Sequence, residues 1–213
     1  MKHRGSAVVA TSLRFGYDGT TVLDGVSMRL RAGEVTAIVG ANGAGKSTLV
    51  ELLAGVLRPH AGTVWRTDRV ALVVQRPDAP DALPLTVTDA VAMGLWSQGP
   101  RMGARARDDA RRNVVEAIER VGLAGRERFL LSELSGGQRQ RTLLAQGIVR
   151  HPWILLLDEP AAGLDAESRA RTRAILAVEA GRGAAVACVT HDEEAITAAD
   201  RVIRLEHGRI AAG

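Results

Sequence analysis

The segment that most constrains the fold is "GANGAGKST", which runs from Gly40 to Thr48. It follows the compact apolar run "VTAIV" (35–39), which is typical of a buried strand, and it precedes a helix-like stretch that continues through Leu57. The spacing satisfies G-x-x-x-x-G-K-[ST], and a position between a strand and a helix is the context that this pattern requires. The sequence therefore predicts a strand, a phosphate-binding loop and a helix as one unit.

The residue types of this loop match the chemistry of a phosphate site. Glycines allow the backbone to wrap around phosphate oxygens, so that successive N–H groups and the positive end of the helix face the anion. Lys46 adds a charge for the β and γ phosphates, and the Ser47 hydroxyl is a ligand for magnesium. The residues predicted to bind nucleotide here are Gly40, Asn42, Gly43, Ala44, Gly45, Lys46, Ser47 and Thr48.

Composition and charge restrict the class of protein. A chain of 213 residues with 46% apolar and 24% charged residues is suited to one globular domain. The formal net charge of +4 does not indicate nucleic-acid binding, and the basic stretch Arg101–Arg112 is predicted to be a solvated helix face because two aspartates interrupt it. No uncharged apolar run is long enough for a membrane span, and Cys188 has no second cysteine with which to pair.

Periodicity predicts an α/β organisation. Segments around Val8–Phe15 and Val22–Leu30 alternate apolar and polar residues, as strands of an antiparallel pair do. From about Thr86 to Val149 the pattern is helical, with an interruption at 97–103. From Trp153 onward, strand and helix patterns alternate, which indicates a parallel sheet flanked by helices.

A second motif, "WILLLDEP" (153–160), joins an apolar run to two carboxylates. The unbroken apolar run suits a central parallel strand buried on both faces, and ligands bind at the carboxyl ends of such strands. Asp158 is predicted to hold the magnesium through water. Glu159 is predicted to orient and polarise the water that attacks the γ-phosphate.

The third motif is "LSGGQRQR" (134–141), in which a serine and two glycines open a predicted helix. With Ser135 as the cap, this is a second candidate anion site. Together with the loop at Gly40 and the strand at Trp153, it makes the chain resemble the ATP-binding subunit of ABC transporters, whose signature sequence begins with the same Leu-Ser-Gly-Gly-Gln. The resemblance covers essentially the whole chain in the family's order.

The resemblance implies a P-loop NTPase fold of the ABC ATPase type, with a mostly parallel core sheet, N-terminal antiparallel strands and an inserted helical subdomain. The nucleotide-binding core would comprise 1–75 and 153–213, and the helical subdomain about 76–152. The implied reaction is the hydrolysis of ATP with Mg²⁺. The implied assembly is a head-to-tail homodimer, in which the signature of one subunit closes over the ATP bound to the other. The signature residues that would touch nucleotide are Ser135, Gly136, Gly137 and Gln138.

Four single residues match smaller motifs of the family. Tyr17 matches the aromatic residue that stacks on adenine, with a half-buried strand tyrosine as the alternative. Gln75 matches the glutamine that contacts magnesium and the attacking water. Asp165 matches an aspartate at the subunit contact, although alanines precede it where family members often have a hydroxyl or an amide. His191 matches the histidine that contacts the γ-phosphate and helps Glu159 to position water.

Partners and cargo are implied less directly. Subunits of this type bind the cytoplasmic face of separate membrane permeases and contact no nucleic acid. The stretch "TVTDAVAMG" (86–94) is similar to ATPases of zinc and manganese importers, which would add an extracytoplasmic metal-binding protein. The alternatives are another importer, an exporter, or a soluble ABC ATPase that acts on DNA or the ribosome. Sustained heptads and zinc modules, which the last class usually carries, are absent from the sequence.

The apolar stretch 81–96 has no catalytic group of its own. Thr86 and Asp89 have the spacing of a capping box, which predicts a helix start, and Val87 and Val91 are predicted to face the core. For the remaining large apolar side chains, packing in the core and docking of a membrane subunit are both open. They are Leu83, Leu85, Met93 and Trp96.

Overall fold

The computed structural model describes residues 5–67, 70–74, 84–96 and 104–211. Its strands are β1 (Ser6–Tyr17), β2 (Thr20–Arg31), β3 (Val35–Val39), β4 (Ala61–Arg66), β5 (Val70–Val73), β6 (Ile154–Asp158), β7 (Ala185–Val189), β8 (Arg201–Glu206) and β9 (Arg209–Ile210). Its helices are α1 (Lys46–Ala54), α2 (Val87–Met93), α3 (Ala104–Arg120), α4 (Gly136–Ile148), α5 (Ala166–Gly181) and α6 (Glu193–Ala198). A short 3₁₀ turn spans Leu131–Glu133.

The strands form two sheets. The three-stranded sheet has the order β2-β1-β4 and is antiparallel throughout, which confirms the predicted N-terminal pair. The six-stranded sheet has the order β5-β6-β7-β3-β8-β9, and its pairings are parallel except for β8 with β9. The predicted α/β class with a mostly parallel core sheet is confirmed.

The six-stranded sheet is buried on both faces, as the apolar run of β6 predicts. Ile154 and Leu156 point to one core cluster, whereas Leu155 and Leu157 point to another. Side chains of β7 divide in the same alternating way. An unbroken apolar strand is the consequence of covering a parallel sheet on both sides.

The two faces are covered by different parts of the chain. The first core cluster receives α1 and the inner face of the antiparallel sheet. The second receives α2, α3, α4 and α5. The helical pattern predicted for this part of the chain is confirmed in α3, where Val114 and Ile118 are buried, together with Val121 just beyond its end. The buried thiol of Cys188 lies in the second cluster.

Two helix boundaries differ from the predictions. The helix after the glycine-rich loop ends at Ala54 rather than Leu57, because Gly55 adopts a left-handed conformation (φ 83°) and its N–H bonds back to Glu51 and Leu52. Helical structure also stops between α3 and α4, where the chain turns at Gly122 with φ 68°. The predicted interruption at 97–103 lies outside the described residues.

The segment around α2 begins as predicted. The Asp89 N–H donates to the Thr86 hydroxyl oxygen (3.1 Å), and the Thr86 N–H donates to the Asp89 carboxylate (3.1 Å), which completes a capping box. Val87 and Val91 are fully buried, so their assignment to the core is confirmed.

The apolar residues of this segment for which both core packing and docking were possible differ in their exposure. Leu85 and Met93 are half-buried, but the Trp96 side chain is 73% exposed. A place in the core is therefore wrong for Trp96, and Leu83 lies outside the described residues. No helix within the described ranges is both long enough and apolar enough to cross a membrane.

A buried ion pair joins two helices of the second core cluster. The Arg120 guanidinium at the end of α3 binds both carboxylate oxygens of Glu179 in α5, and the two side chains are only 10% and 4% exposed. Arg120 also lies 3.3 Å from Nδ1 of His151. Without Glu179, the buried Arg120 charge would keep only a longer ion pair with the more exposed Glu116, at 3.7 Å.

Replacement of Glu179 by alanine is predicted to lower the free energy of unfolding by about 3 kcal/mol, because the Arg120 charge would stay buried. The measurement is equilibrium denaturation in urea. The Glu167→Ala variant is the control, since Glu167 forms an exposed pair with Arg171 on the same helix and should change stability little. Equal destabilisation by both variants would contradict the assigned importance of burial.

Candidate functional site

The predicted site segments begin at one edge of the core sheet. Strands β6, β7 and β3 are parallel neighbours, so their carboxyl ends lie side by side. The glycine-rich loop follows β3, Glu159 follows β6, and His191 follows β7 after one intervening residue. Carboxyl edges of parallel strands are where open α/β sheets bind ligands.

The glycine-rich loop is packed so closely that side chains would not fit at two positions. Gly45 has φ 98°, and a Cβ there would lie 2.8 Å from the Leu23 side chain of β2. A Cβ at Gly40 would lie 2.2 Å from the carbonyl oxygen of Leu205 in β8. The glycines are therefore required by contacts of the loop with strands on both sides as well as by any ligand.

The start of α1 fits an anion. Its N-cap is Gly45, so no side chain accepts a hydrogen bond from the first N–H groups of the helix. The Lys46 ammonium folds back over the loop and donates to the carbonyl oxygens of Gly40 and Ala41, both at 3.0 Å. Ser47 is exposed, whereas Thr48 is buried. Uncapped N–H groups, the helix dipole and an ammonium together suit the phosphates of a nucleotide.

Tyr17 lies near this loop through the register of the antiparallel sheet. The space beside Gly45 is bounded by Val22 and Leu23, and Leu23 pairs with Phe15. Tyr17, two residues further along β1, is 48% exposed and meets the Phe15 ring edge-to-face at 5.0 Å. The ring lies outside the core, on the strand pair that borders the loop, and offers an exposed aromatic surface there.

Glu159 and His191 approach each other at the same edge. The His191 Nδ1 lies 3.9 Å from a carboxylate oxygen of Glu159. Glu159 has φ 47°, which is rare for a residue with a side chain, and its N–H is fixed by a hydrogen bond to the Val189 carbonyl (3.1 Å). Asp158, the last residue of β6, is half-buried and pairs with Val189. A strained backbone at a carboxylate is a feature of functional sites.

The carboxylates also act on the buried thiol behind them. Burial is the main reason that the pKa of Cys188 rises to about 12, and the negative charges of Asp158, Asp192 and Glu159 raise it further. The thiol therefore stays protonated at neutral pH and is no nucleophile.

A small cavity beside Glu159 reveals residues that sequence reasoning missed. It has a volume of about 140 Å³ and is lined by Glu159, Gly163, His191, Arg169 and Asp192, among others. Arg169 lies on α5, one turn after Asp165. Its sequence position carries no recognisable motif, so the only available signal is its spacing on the predicted helix.

The signature segment forms the start of α4. The Ser135 hydroxyl accepts the N–H of Gln138 (3.3 Å), and the Gln138 side chain accepts the N–H of Ser135 (3.0 Å). The cap predicted at Ser135 is confirmed, and Gln138 is its reciprocal partner. Arg141 ties the helix to the end of α3 by donating to the carbonyls of Val121 (3.1 Å) and Gly122 (3.0 Å).

The signature packs against the start of α5. A Cβ at Gly137 would lie 2.2 Å from the hydroxyl of Ser168, so the two helices meet there without room for a side chain. Asp165 caps α5 by accepting the N–H of Ser168 (2.8 Å), and this bond is the main reason that the pKa of Asp165 is lowered. The signature and Asp165 are therefore neighbours within one chain.

The structure does not place the signature beside the glycine-rich loop of the same chain. Helix α1 packs on one face of the core sheet, and α4 packs on the other. The uncapped start of α1 and the signature therefore belong to opposite faces. Gln75 lies outside the described residues, because the described range that contains β5 ends at Val74.

The chain is similar in sequence to known proteins over most of its length. The sequence profile of the family described as "ABC transporter" matches residues 23–162. The chain is 42% identical over 199 residues to an aliphatic sulfonates import ATP-binding protein SsuB of Granulibacter bethesdensis, covering 92% of this chain and 78% of that protein. It is 41% identical over 216 residues to the hemin import ATP-binding protein HmuV of Streptomyces coelicolor, covering 96% of this chain and 76% of that protein.

A solved structure agrees with the fold over almost the whole length. The cbiO1 protein of Clostridium perfringens, part of the ABC transporter complex cbiONQ, superposes with a TM-score of 0.85 and is 28% identical, covering 98% of this chain and 88% of that chain. The family match spans the glycine-rich loop, the signature and the two carboxylates at 158–159. The chain therefore belongs to the ABC transporter family, as an ATP-binding subunit that hydrolyses ATP with Mg²⁺.

Proposed function

We propose that this chain powers the uptake of a small solute through separate membrane permeases by binding and hydrolysing ATP at the carboxyl edge of its core sheet. The observation that carries the proposal is the convergence of the glycine-rich loop, Glu159 and His191 at the ends of three parallel strands. The import direction is supported by the names of the relatives, which are import ATP-binding proteins.

ATP would be held chiefly by its phosphates. Lys46 and the N–H groups at the start of α1 would bind the β and γ phosphates, with the remaining residues of 40–48 wrapped around them. Tyr17 would stack on adenine. Ser47, Gln75 and Asp158 would hold Mg²⁺, which when bound neutralises charge that develops on the phosphates.

Water would be activated by Glu159. Its carboxylate would accept a hydrogen bond from the attacking water and align it with the γ-phosphate. His191, 3.9 Å from Glu159, would contact the γ-phosphate and fix the position of the same water. Gln75 would contact the same water. The buried thiol of Cys188 takes no part, because its raised pKa keeps it protonated.

The complete site is proposed to need two copies of the chain. Helices α1 and α4 cover opposite faces of the core sheet, which supports an arrangement where the signature acts on the partner's nucleotide. The signature residues Ser135, Gly136, Gly137 and Gln138 would then close over ATP, with Asp165 beside the subunit contact. A C₂ pair completes two such sites at once.

The membrane permease is proposed to dock beside α2, at the cytoplasmic face of the membrane. Trp96 is 73% exposed just beyond a helix whose other face is fixed in the core, so it offers a large apolar contact. The helical subdomain, proposed as about 76–152, would pass movement from the nucleotide to this surface. The core would comprise 1–75 and 153–213.

Two cargo classes are proposed. Aliphatic sulfonates are supported by the 42% identical relative. Zinc or a related divalent metal is supported by the similarity of "TVTDAVAMG" to ATPases of metal importers, and it would require an extracytoplasmic metal-binding protein. An exporter, or a protein acting on DNA or ribosomes, receives no support from the relatives' names.

The Glu159→Gln variant is predicted to bind ATP normally but to hydrolyse it at least about 10²-fold more slowly, because the amide does not polarise water as the carboxylate does. Steady-state ATPase assays and binding of a fluorescent ATP analogue measure the two effects. The variant should also accumulate as an ATP-bound dimer in size-exclusion chromatography.

Glu193→Gln is the matched control. Glu193 is exposed in the first turn of α6, so its replacement removes one negative charge near the same edge of the sheet. Its turnover should match that of the unmodified protein. Normal hydrolysis by Glu159→Gln would remove Glu159 from the proposed role.

The Trp96→Ala variant is predicted to reduce transport severalfold while the ATPase activity of the isolated subunit stays unchanged, because the indole contacts the permease rather than nucleotide. Transport is measured in vesicles that contain the complete transporter. Trp153→Ala is the control, since Trp153 is also exposed (52%). It precedes the first residue of β6, at the end of that strand away from Asp158 and Glu159. If the two variants transport equally, docking at Trp96 is wrong.

Growth of a deletion strain separates the two cargo classes. With an aliphatic sulfonate as the sole sulfur source, failure to grow would support sulfonate import, provided that growth on sulfate is normal. Failure under zinc chelation that added zinc reverses would support metal import. Complementation with the intact gene, but not with the Glu159→Gln gene, links either phenotype to hydrolysis. A strain that is indifferent to both conditions would overturn both cargo proposals.

A further inference from the structure

The residue after the proposed catalytic histidine is hydrogen-bonded to one arginine of α5 and lies near a second. Nη1 of Arg173 donates to Oδ2 of Asp192 at 3.0 Å, and Nε of Arg169 lies 3.9 Å from the same oxygen. The second guanidinium nitrogen of Arg173 pairs with Glu194 at the start of α6. One arginine thus binds two of the three acidic residues that follow His191.

These side chains are partly withdrawn from water. The Asp192 side chain is 17% exposed and that of Arg173 is 22% exposed. Charge-assisted hydrogen bonds in such surroundings are stronger and more sharply oriented than those on an open surface. The other Asp192 oxygen accepts the N–H of Glu194 at 3.3 Å, so both oxygens of this carboxylate have partners.

His191 depends on its neighbours for its position. Its side chain is 77% exposed, so core packing does not fix the imidazole. On the amino side, the N–H of Thr190 donates to the carbonyl of Ile38 in β3 (3.2 Å), which holds the chain to the sheet. On the carboxyl side, Asp192 is held by Arg173 and donates its N–H to the Thr190 hydroxyl (3.0 Å). The turn is therefore fixed at both ends.

We propose that Arg173 is a positioning residue for ATP hydrolysis, which holds His191 beside Glu159 through its hydrogen bond to Asp192. This inference rests on the proposed role of His191. Among the described residues, the hydrogen bonds and ion pairs of Arg173 join it to Asp192 and Glu194 and not to the loop at 40–48 or to Glu159. Its effect would pass through the backbone of the turn.

Arg169 adds a second connection along α5. Its Nη1 donates to the carbonyl of Leu164 at 2.9 Å, immediately before Asp165. The same side chain faces Asp192 across the 3.9 Å separation and lines the cavity beside Glu159. Helix α5 therefore links the segment before Asp165 to the turn that carries His191.

The test begins with Arg173→Met, which keeps most of the side-chain length but removes the charge. The kcat for ATP hydrolysis should fall about tenfold, because small displacements of a catalytic group are costly in rate. The affinity for a fluorescent ATP analogue should stay unchanged, because the loop at 40–48 is untouched. Arg173→Lys should restore part of the rate, since it keeps a donor and a charge within reach of Asp192.

Arg171→Met is the matched control on the same helix. Arg171 pairs with Glu167 on an exposed surface, where the two side chains are 53% and 74% exposed. Within the described residues this pair is separate from the contacts of Asp192. It should hydrolyse ATP at the normal rate. If Arg173→Met is too unstable to study, Asp192→Asn removes the other partner of the bond and should give the same loss of kcat.

A double-mutant cycle with His191→Ala distinguishes positioning from a general loss of structure. If Arg173 acts through His191, Arg173→Met should cause no further loss of kcat in the His191→Ala background. Independent, multiplicative losses would overturn the inference, and so would a rate for Arg173→Met equal to that of Arg171→Met. If His191→Ala alone hydrolyses ATP normally, the proposed role of His191 fails first and the inference falls with it.

Discussion

The parallel alignment of β6, β7 and β3 is the constraint on which the site depends. Because neighbouring parallel strands end at one edge, segments far apart in sequence begin close together: the loop after Val39, the carboxylates at 158–159 and the turn at His191. The alignment requires a sheet that is buried on both faces. The apolar runs of β6 and β7 therefore position the site, although the side chains of Ile154–Leu157 in β6 are all apolar and take no part in its chemistry.

The same double burial separates the two helix starts of the chain. One face of the sheet takes α1 and the antiparallel strands, and the other takes the helices that carry the signature. The proposed composite site between two copies is compatible with this separation, because each copy would contribute one helix start to a nucleotide held between them.

Much of this arrangement could be predicted from the sequence, for identifiable reasons. The strand before Gly40 and the cap at Ser135 are local features, so spacing alone specifies them. The end of α1 at Ala54 could have been predicted from Gly55, whose left-handed conformation stops helices. The pairing of Arg173 with Asp192 could not, because nineteen residues separate them and only the packing of α5 beside β7 brings them together. Long-range charge pairs leave no periodic signal in a sequence.

Several of the many arginines of the chain connect separate structural elements. Arg120, Arg141 and Arg173 each bind two groups on other elements, which a planar guanidinium with several donors can do at once. An ammonium is a compact point charge without a fixed fork, and it suits a phosphate whose oxygens must be approached from within a tight loop. Lys46 is the lysine at that position, in a chain whose only other lysine is Lys2. Arginines thus connect the helices and turns that position the site, whereas Lys46 supplies the positive charge that would bind the phosphates of the nucleotide.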